Sequence, residues 1–123
     1  MELNLDKICY YENNTIFFDV PTFKEVAKLD NCEIIVYHII NTANKVLTQY
    51  NDYIVTINAT SLKITDLEKY LKFIKLFNIL SMPIYSQLNI CNIYNVPGTI
   101  KHIINFCKMF ISKHTIKKIN LCV

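Results

Sequence analysis

The chain has 123 residues, enough for one domain with a substantial core, and 52% of them are hydrophobic, which excludes a disordered tail. Thirteen lysines stand against ten acidic residues, for a net charge of +3, and there is no arginine. So small and scattered a charge, without the residue best suited to bidentate phosphate and guanine contacts, excludes sequence-specific nucleic-acid readout, and no nucleic-acid partner is expected.

Two strands open the chain. "LNLDKICYY" (3–11) and "TIFFDV" (15–20) flank Glu12-Asn13-Asn14, a polar turn of hairpin length. Pro21 stops the second strand, and "TFKEVAKL" (22–29) predicts a short helix. Asp30 or Asn31 is placed to cap a longer helix, in which Cys32, Ile35, Val36, Ile39, Ile40, Ala43, Val46 and Leu47 recur at three- and four-residue intervals. "YIVTINA" (53–59) is a continuous β-branched run and reads as a strand covered on both faces. Thr65-Asp66-Leu67-Glu68 reads as a capping box opening a helix to about Asn78, with Leu67, Tyr70, Leu71, Ile74 and Phe77 inward and Lys69, Lys72 and Lys75 outward. "LNICNIY" (88–94) is the next strand. Pro97 suits the first turn of a helix bearing Ile100, Ile103, Ile104, Cys107, Phe110 and Ile111, and "KKINLCV" (117–123) closes the chain as a strand.

The order is β-β-(α)-α-β-α-β-α-β. That pattern predicts an α/β fold: a single largely parallel or mixed sheet with helices packed on its faces and an N-terminal β-hairpin, in one domain spanning 1–123. Leu76 to Ile100 carries no charge, but its asparagines, Gln87 and two prolines exclude a bilayer-spanning helix. The opening "MELNLDKICYYENN" is acidic and polar, so no signal peptide is expected. Five cysteines without paired spacing predict buried free thiols in a reducing compartment, and a cytoplasmic setting is expected.

Twenty isoleucines and fourteen asparagines beside an arginine count of zero read as an AT-rich coding sequence, of the kind found in protists, parasites and large DNA viruses. Motifs built from Asn, Lys and Ile therefore carry little weight. Phosphate cradles need several glycines, and Gly98 is the only one here; it reads as a strand-to-helix corner beside Pro97. His102 and Cys107, five apart on one helix, point about 140 degrees apart and cannot share a metal. His38, His102 and His114 read as surface or capping groups, and Asp19, Asp52 and Asp66 fall at element ends, where turns and caps account for them. No catalytic residue, cofactor or metal site is expected.

The stretch "NICNIYNVPGTIKHIINFCKMFISKHTIKKINL" resembles the CRAL-TRIO family, through Asn95, Pro97, Phe106, Phe110, Ile111, Ser112, Thr115, Lys118 and Ile119 in order. The resemblance is strongest over 50–123; the element order is also similar to that of the STAS family. Carriers of CRAL-TRIO type have gating helices after the Lys-Ile strand, and this chain ends four residues past Ile119. The expectation is thus a minimal, ungated form. Its first predicted role is a non-catalytic protein-interaction module or homodimer, using an apolar face near the 97–112 helix formed by Ile103, Phe106, Met109 and Phe110. The alternative implied by the resemblance is lipid or phosphoinositide binding, with Lys108, Lys113, His114, Lys117 and Lys118 as a rim for anionic headgroups of a membrane surface. A STAS-like regulatory domain, phosphorylated at Ser61 or Ser81, is the third reading.

Overall fold

The computed structural model describes residues 4–109 and 111–122; Leu3 of the first expected strand, Phe110 of the expected apolar face and Val123 of the last strand lie outside the described residues. The N-terminal hairpin is β1 (Cys9–Glu12) and β2 (Thr15–Asp19), paired antiparallel, with Asn13 taking the left-handed conformation (φ 54) at the turn. Asn is one of the few non-glycine residues that tolerates this backbone. The first strand starts later than its apolar pattern suggests, because Leu5–Lys7 close a 3-10 turn ahead of it.

Helix α1 (Val20–Val26) begins directly at the end of β2, where the Asp19 carboxylate accepts from the Thr22 amide at 3.1 Å and Pro21 occupies the first turn. Helix α2 (Cys32–Leu47) buries Cys32, Ile35, Val36, Ile39, Ala43 and Val46 of the stripe read from the sequence and leaves Ile40 and Leu47 half-buried. Asn31 sits at its N-cap position but does not cap it. The Asn31 side chain turns back, accepting from the Lys28 amide at 2.6 Å and donating to the Val26 carbonyl at 2.7 Å, so it closes the preceding loop instead.

Strand β3 (Tyr53–Asn58) runs parallel to β2. The single helix expected to about Asn78 is two, α3 (Ile64–Lys69) and α4 (Leu71–Ser81), broken at Tyr70. The cap is also displaced by two residues. Helix α3 starts before Thr65, and it is the Asp66 carboxylate that accepts from the Lys63 amide at 2.8 Å while pairing with Lys24 Nζ of α1 at 2.9 Å. A 3-10 segment (Met82–Gln87) leads into β4 (Leu88–Tyr94), then α5 (Ile100–Cys107), α6 (Lys113–Ile116) and β5 (Ile119–Leu121). Pro97 and Gly98 lie in the turn before α5 rather than inside it. Gly98 has no positive φ, and a Cβ there would meet nothing within 4 Å, so the corner does not require glycine. The left-handed residue nearby is Asn95 (φ 58).

The five strands form one sheet in the order β1-β2-β3-β4-β5, antiparallel at the hairpin and parallel thereafter. That order decides where the helices go. From β2 to β5 each crossover moves one place in the same direction, and right-handed crossovers that never reverse put every connecting helix on the same side of the sheet. The pairing Ile16-Val55-Cys91-Ile119 defines one row of the helix-bearing face, and Cys9, Phe18, Ile57, Ile93 and Leu121 share that face by alternation. Cys9 and Ile16 belong to the main core with Ile35, Val36 and Val46 of α2, and Phe18 and Val55 pack against it. Phe23 of α1 joins the layers: its ring lies 5.6 Å from Phe18, 4.9 Å from Tyr70 and 4.5 Å from Phe73.

Candidate ligand-binding face

The opposite face of the sheet carries Tyr10, Phe17, Ile54, Thr56, Ile90, Asn92, Tyr94 and Asn120, the alternating partners of the core-facing residues. None of these side chains is buried, and Tyr10 and Tyr94 are each 45% exposed. Strand β3 was expected to be covered on both faces, yet only its first residue, Tyr53, is buried. Its apolar run serves a core on one side and an open surface on the other.

This open face is graded along the strands. One row is apolar, formed by Ile54 and Ile90 beside Thr15. The next runs Tyr10-Phe17-Thr56-Asn92-Asn120, with the Tyr10 and Phe17 rings stacked at 5.0 Å and the Asn120 amide donating to Asn92 Oδ1 at 3.0 Å. The third, Asp19-Asn58-Tyr94, is polar, and here Asn58 Nδ2 donates to Asp19 Oδ1 at 2.8 Å while Asn95 Nδ2 donates to Asn58 Oδ1 at 2.9 Å. Burial pushes the Asp19 carboxyl up, but hydrogen bonds from the Thr22 hydroxyl, the Asn58 amide and the Thr22 backbone outweigh it, and Asp19 stays below the usual carboxylate range. Beside this row the Cys122 thiol, by hydrogen bond and by charge, pushes the Tyr94 phenol up. Beyond the apolar row, Asp52 accepts from Asn14 and Asn89 at 3.1 and 2.7 Å and ties the start of β3 to its two neighbours.

The residues expected to form an apolar partner face do not share one environment. Ile103 points into the core, Phe106 is half-buried, and Met109 is 69% exposed just past the end of α5. Of the expected lysine rim, Lys108, Lys113, His114 and Lys117 are exposed, whereas Lys118 is half-buried and donates from Nζ to the Tyr85 carbonyl at 3.1 Å. Lys113 and His114 stand on α6, whose start is capped by Ser112 accepting from the Thr115 amide. Ser81 is buried and Ser61 is exposed in the left-handed region (φ 66).

Burial pushes the Cys9 and Cys91 thiols up to about 12 and raises Cys107 as well, so these sulfurs stay protonated and are poor nucleophiles. His38 uses its Nε2 to reach the Cys9 carbonyl at 2.8 Å, with Asp6 at 3.6 Å, and so fastens α2 to β1. No cluster of three metal-ligating side chains occurs among the described residues, and none of their helices is long and apolar enough to cross a membrane.

Among solved structures, the chain is similar to the crystal structure of Sfh5, a Sec14-family protein of CRAL-TRIO type, with a TM-score of 0.78 and 15% sequence identity. The fold is CRAL-TRIO-like. The match covers 95% of this chain and 48% of Sfh5, so the chain spans about half the length of that structure. No family model matches the sequence, and a search of curated proteins returns no match.

The open face could have been found in the sequence only after the register was known. Polar residues recur at every second position at Thr56 and Asn58, and again at Asn92 and Tyr94, but Ile54 and Ile90 in the same alternation hide the pattern.

Proposed function

We propose that the chain is a non-catalytic binding module and that the open face of its sheet is the floor of a site for a lipid or other single amphiphile. One observation carries this reading: of eight neighbouring sheet positions on one face none is fully buried, with Phe17, Ile54 and Ile90 half-buried and Tyr10 and Tyr94 exposed, while the main buried cluster lies on the other face. Apolar side chains left in water at the centre of a sheet are stabilised by an apolar occupant. The gradient orients it, with the hydrocarbon end over Ile54 and Ile90 and the polar end toward Asn92 and Asn58. Asp19 makes that end acidic, which favours a headgroup that donates hydrogen bonds. The likeness to Sfh5 supports the fold on which such a floor is built. The neutral buried thiols support a role without nucleophilic catalysis.

Native mass spectrometry of the purified protein tests the reading. A bound amphiphile is expected in the wild type and should be lost from Ile54→Lys/Ile90→Lys, which adds charge to the floor without entering the core. A wild type free of any amphiphile, and without saturable uptake of a fluorescent fatty acid, sinks it. Protein partnership or self-association is a second reading, carried by Met109, whose side chain stands 69% exposed beyond α5. In that reading Met109→Asp shifts the mass measured by light scattering, and it leaves amphiphile uptake unchanged.

A further inference from the structure

On the helical side of the molecule, remote from the open face, two adjoining grooves share Lys72. The larger, about 450 Å³, lies between α2 and α4 and is lined by Glu33, Leu71, Lys72, Lys75, Leu76 and Ile79. The smaller, about 240 Å³, includes Lys28, Leu29, Cys32, Lys69 and Phe73. Their rims combine exposed apolar side chains with positive charge. Leu29 is 74% exposed and Ile79 62%, with Met82 at 61% one turn beyond Ile79. Between these apolar side chains stand four exposed lysines, Lys28, Lys69, Lys72 and Lys75, against Glu33 alone among the lining residues.

We propose that this surface docks the protein on an anionic lipid bilayer. The chemistry favours a bilayer over a protein. Lysine is depleted from protein interfaces, whose energy comes from buried aromatic and arginine anchors. Protruding aliphatic side chains among lysines match the boundary between headgroups and acyl chains: the aliphatic groups enter the acyl region, and the ammonium groups stay with the lipid phosphates and carboxylates. Three of the lysines recur every third residue, at 69, 72 and 75, along one side of the α3–α4 segment. The surface is separate from the open face, so docking leaves that face free.

Co-sedimentation with phosphatidylcholine vesicles containing about one-third phosphatidylserine tests the proposal. The wild type is expected to bind, and binding should weaken as salt rises from about 0.1 M toward 1 M, where the screening length falls from about 10 to 3 Å. Lys69→Gln/Lys72→Gln/Lys75→Gln should lower partitioning by about a hundredfold, since each lysine contributes on the order of a fivefold preference near such a surface. Leu29→Ser/Ile79→Ser should lower it by about tenfold. The melting temperatures of both variants should stay close to wild type, because every altered side chain is exposed. Lys7→Gln/Lys45→Gln/Lys101→Gln, altering exposed lysines elsewhere, should bind as the wild type does. Three results overturn the proposal: no wild-type binding, equal binding to pure phosphatidylcholine, or equal loss from both lysine triples. The first of these assigns the groove to a protein, such as an acidic amphipathic helix.

Discussion

The two faces of the sheet are built from the same strands and differ in nearly everything else. On the helix-bearing side, Cys9, Ile16, Tyr53, Leu88 and Cys91 are buried and the aromatic rings of Phe18, Phe23, Tyr70 and Phe73 form a chain of contacts through the layer. On the other side, Tyr10, Phe17, Ile54 and Ile90 share their face with asparagines that satisfy one another. The buried core lies on one face, and the other stays partly open. The cause is topological, since a strand order that never reverses gives its crossovers one side only.

Truncating one phenylalanine on each face sharpens this comparison most. Phe23→Ala removes the ring on which Phe18, Tyr70 and Phe73 converge, and should cost about 3–5 kcal/mol in a urea titration. Phe17→Ala on the open face loses the Tyr10 stack and should cost only about 1 kcal/mol. Equal costs would mean that the open face is packed after all.

Next in size is the tie between α1 and α3. Asp66 is buried, pairs with Lys24 Nζ at 2.9 Å, and accepts from the Lys63 amide. Asp66→Asn leaves the ammonium group of Lys24 without its carboxylate in a largely buried setting. A loss of about 2–3 kcal/mol is expected, at the low end for a buried pair because Lys24 keeps its bond to the Ser61 carbonyl. An unchanged denaturation midpoint would show that this pair holds nothing.

How legible each face was follows from the physics of its signals. Helix α2 was plain, because sixteen residues with a 3.6-residue period repeat the signal four times over. The helix–strand alternation carried the fold class for the same reason. The α3 cap was misplaced by two residues, while Asn31 holds the expected N-cap position of α2 with its side chain turned back to Lys28 and Val26. Asn31, Thr65 and Asp66 are all chemically able to cap, and tertiary partners such as Lys24 decide which does. The open face was illegible. A β-branched run such as Ile54-Val55-Thr56-Ile57 looks the same whether a ligand or a second layer of helices covers its far side. The lysines of the α3–α4 segment were read correctly as outward, but their exposed apolar neighbours Leu29 and Ile79 come from distant or different turns and meet only in the fold.

A smaller effect belongs to the polar end of the open face. The Asp19 carboxyl is held below its ordinary value in the folded chain, so its contribution is present above the unfolded value of about 3.9 and is lost as pH falls through the lower, folded one. Thermal melts of the wild type and Asp19→Asn should therefore differ at neutral pH and converge at acid pH. A gap that widens on acidification would reverse the assigned sign.

The smallest expected change is on the covered face and is a gain. The Tyr70 hydroxyl is buried with no hydrogen-bond partner among the described residues, while its ring packs edge-on against Phe23 at 4.9 Å. Tyr70→Phe keeps the ring contact and removes a polar group that folding takes out of water without compensation. Stability should rise by up to about 1 kcal/mol, read as a higher denaturation midpoint at constant slope. A fall would mean that the hydroxyl has a partner, a bound water for instance, and that the core side of the sheet is less dry than its aromatic lining implies.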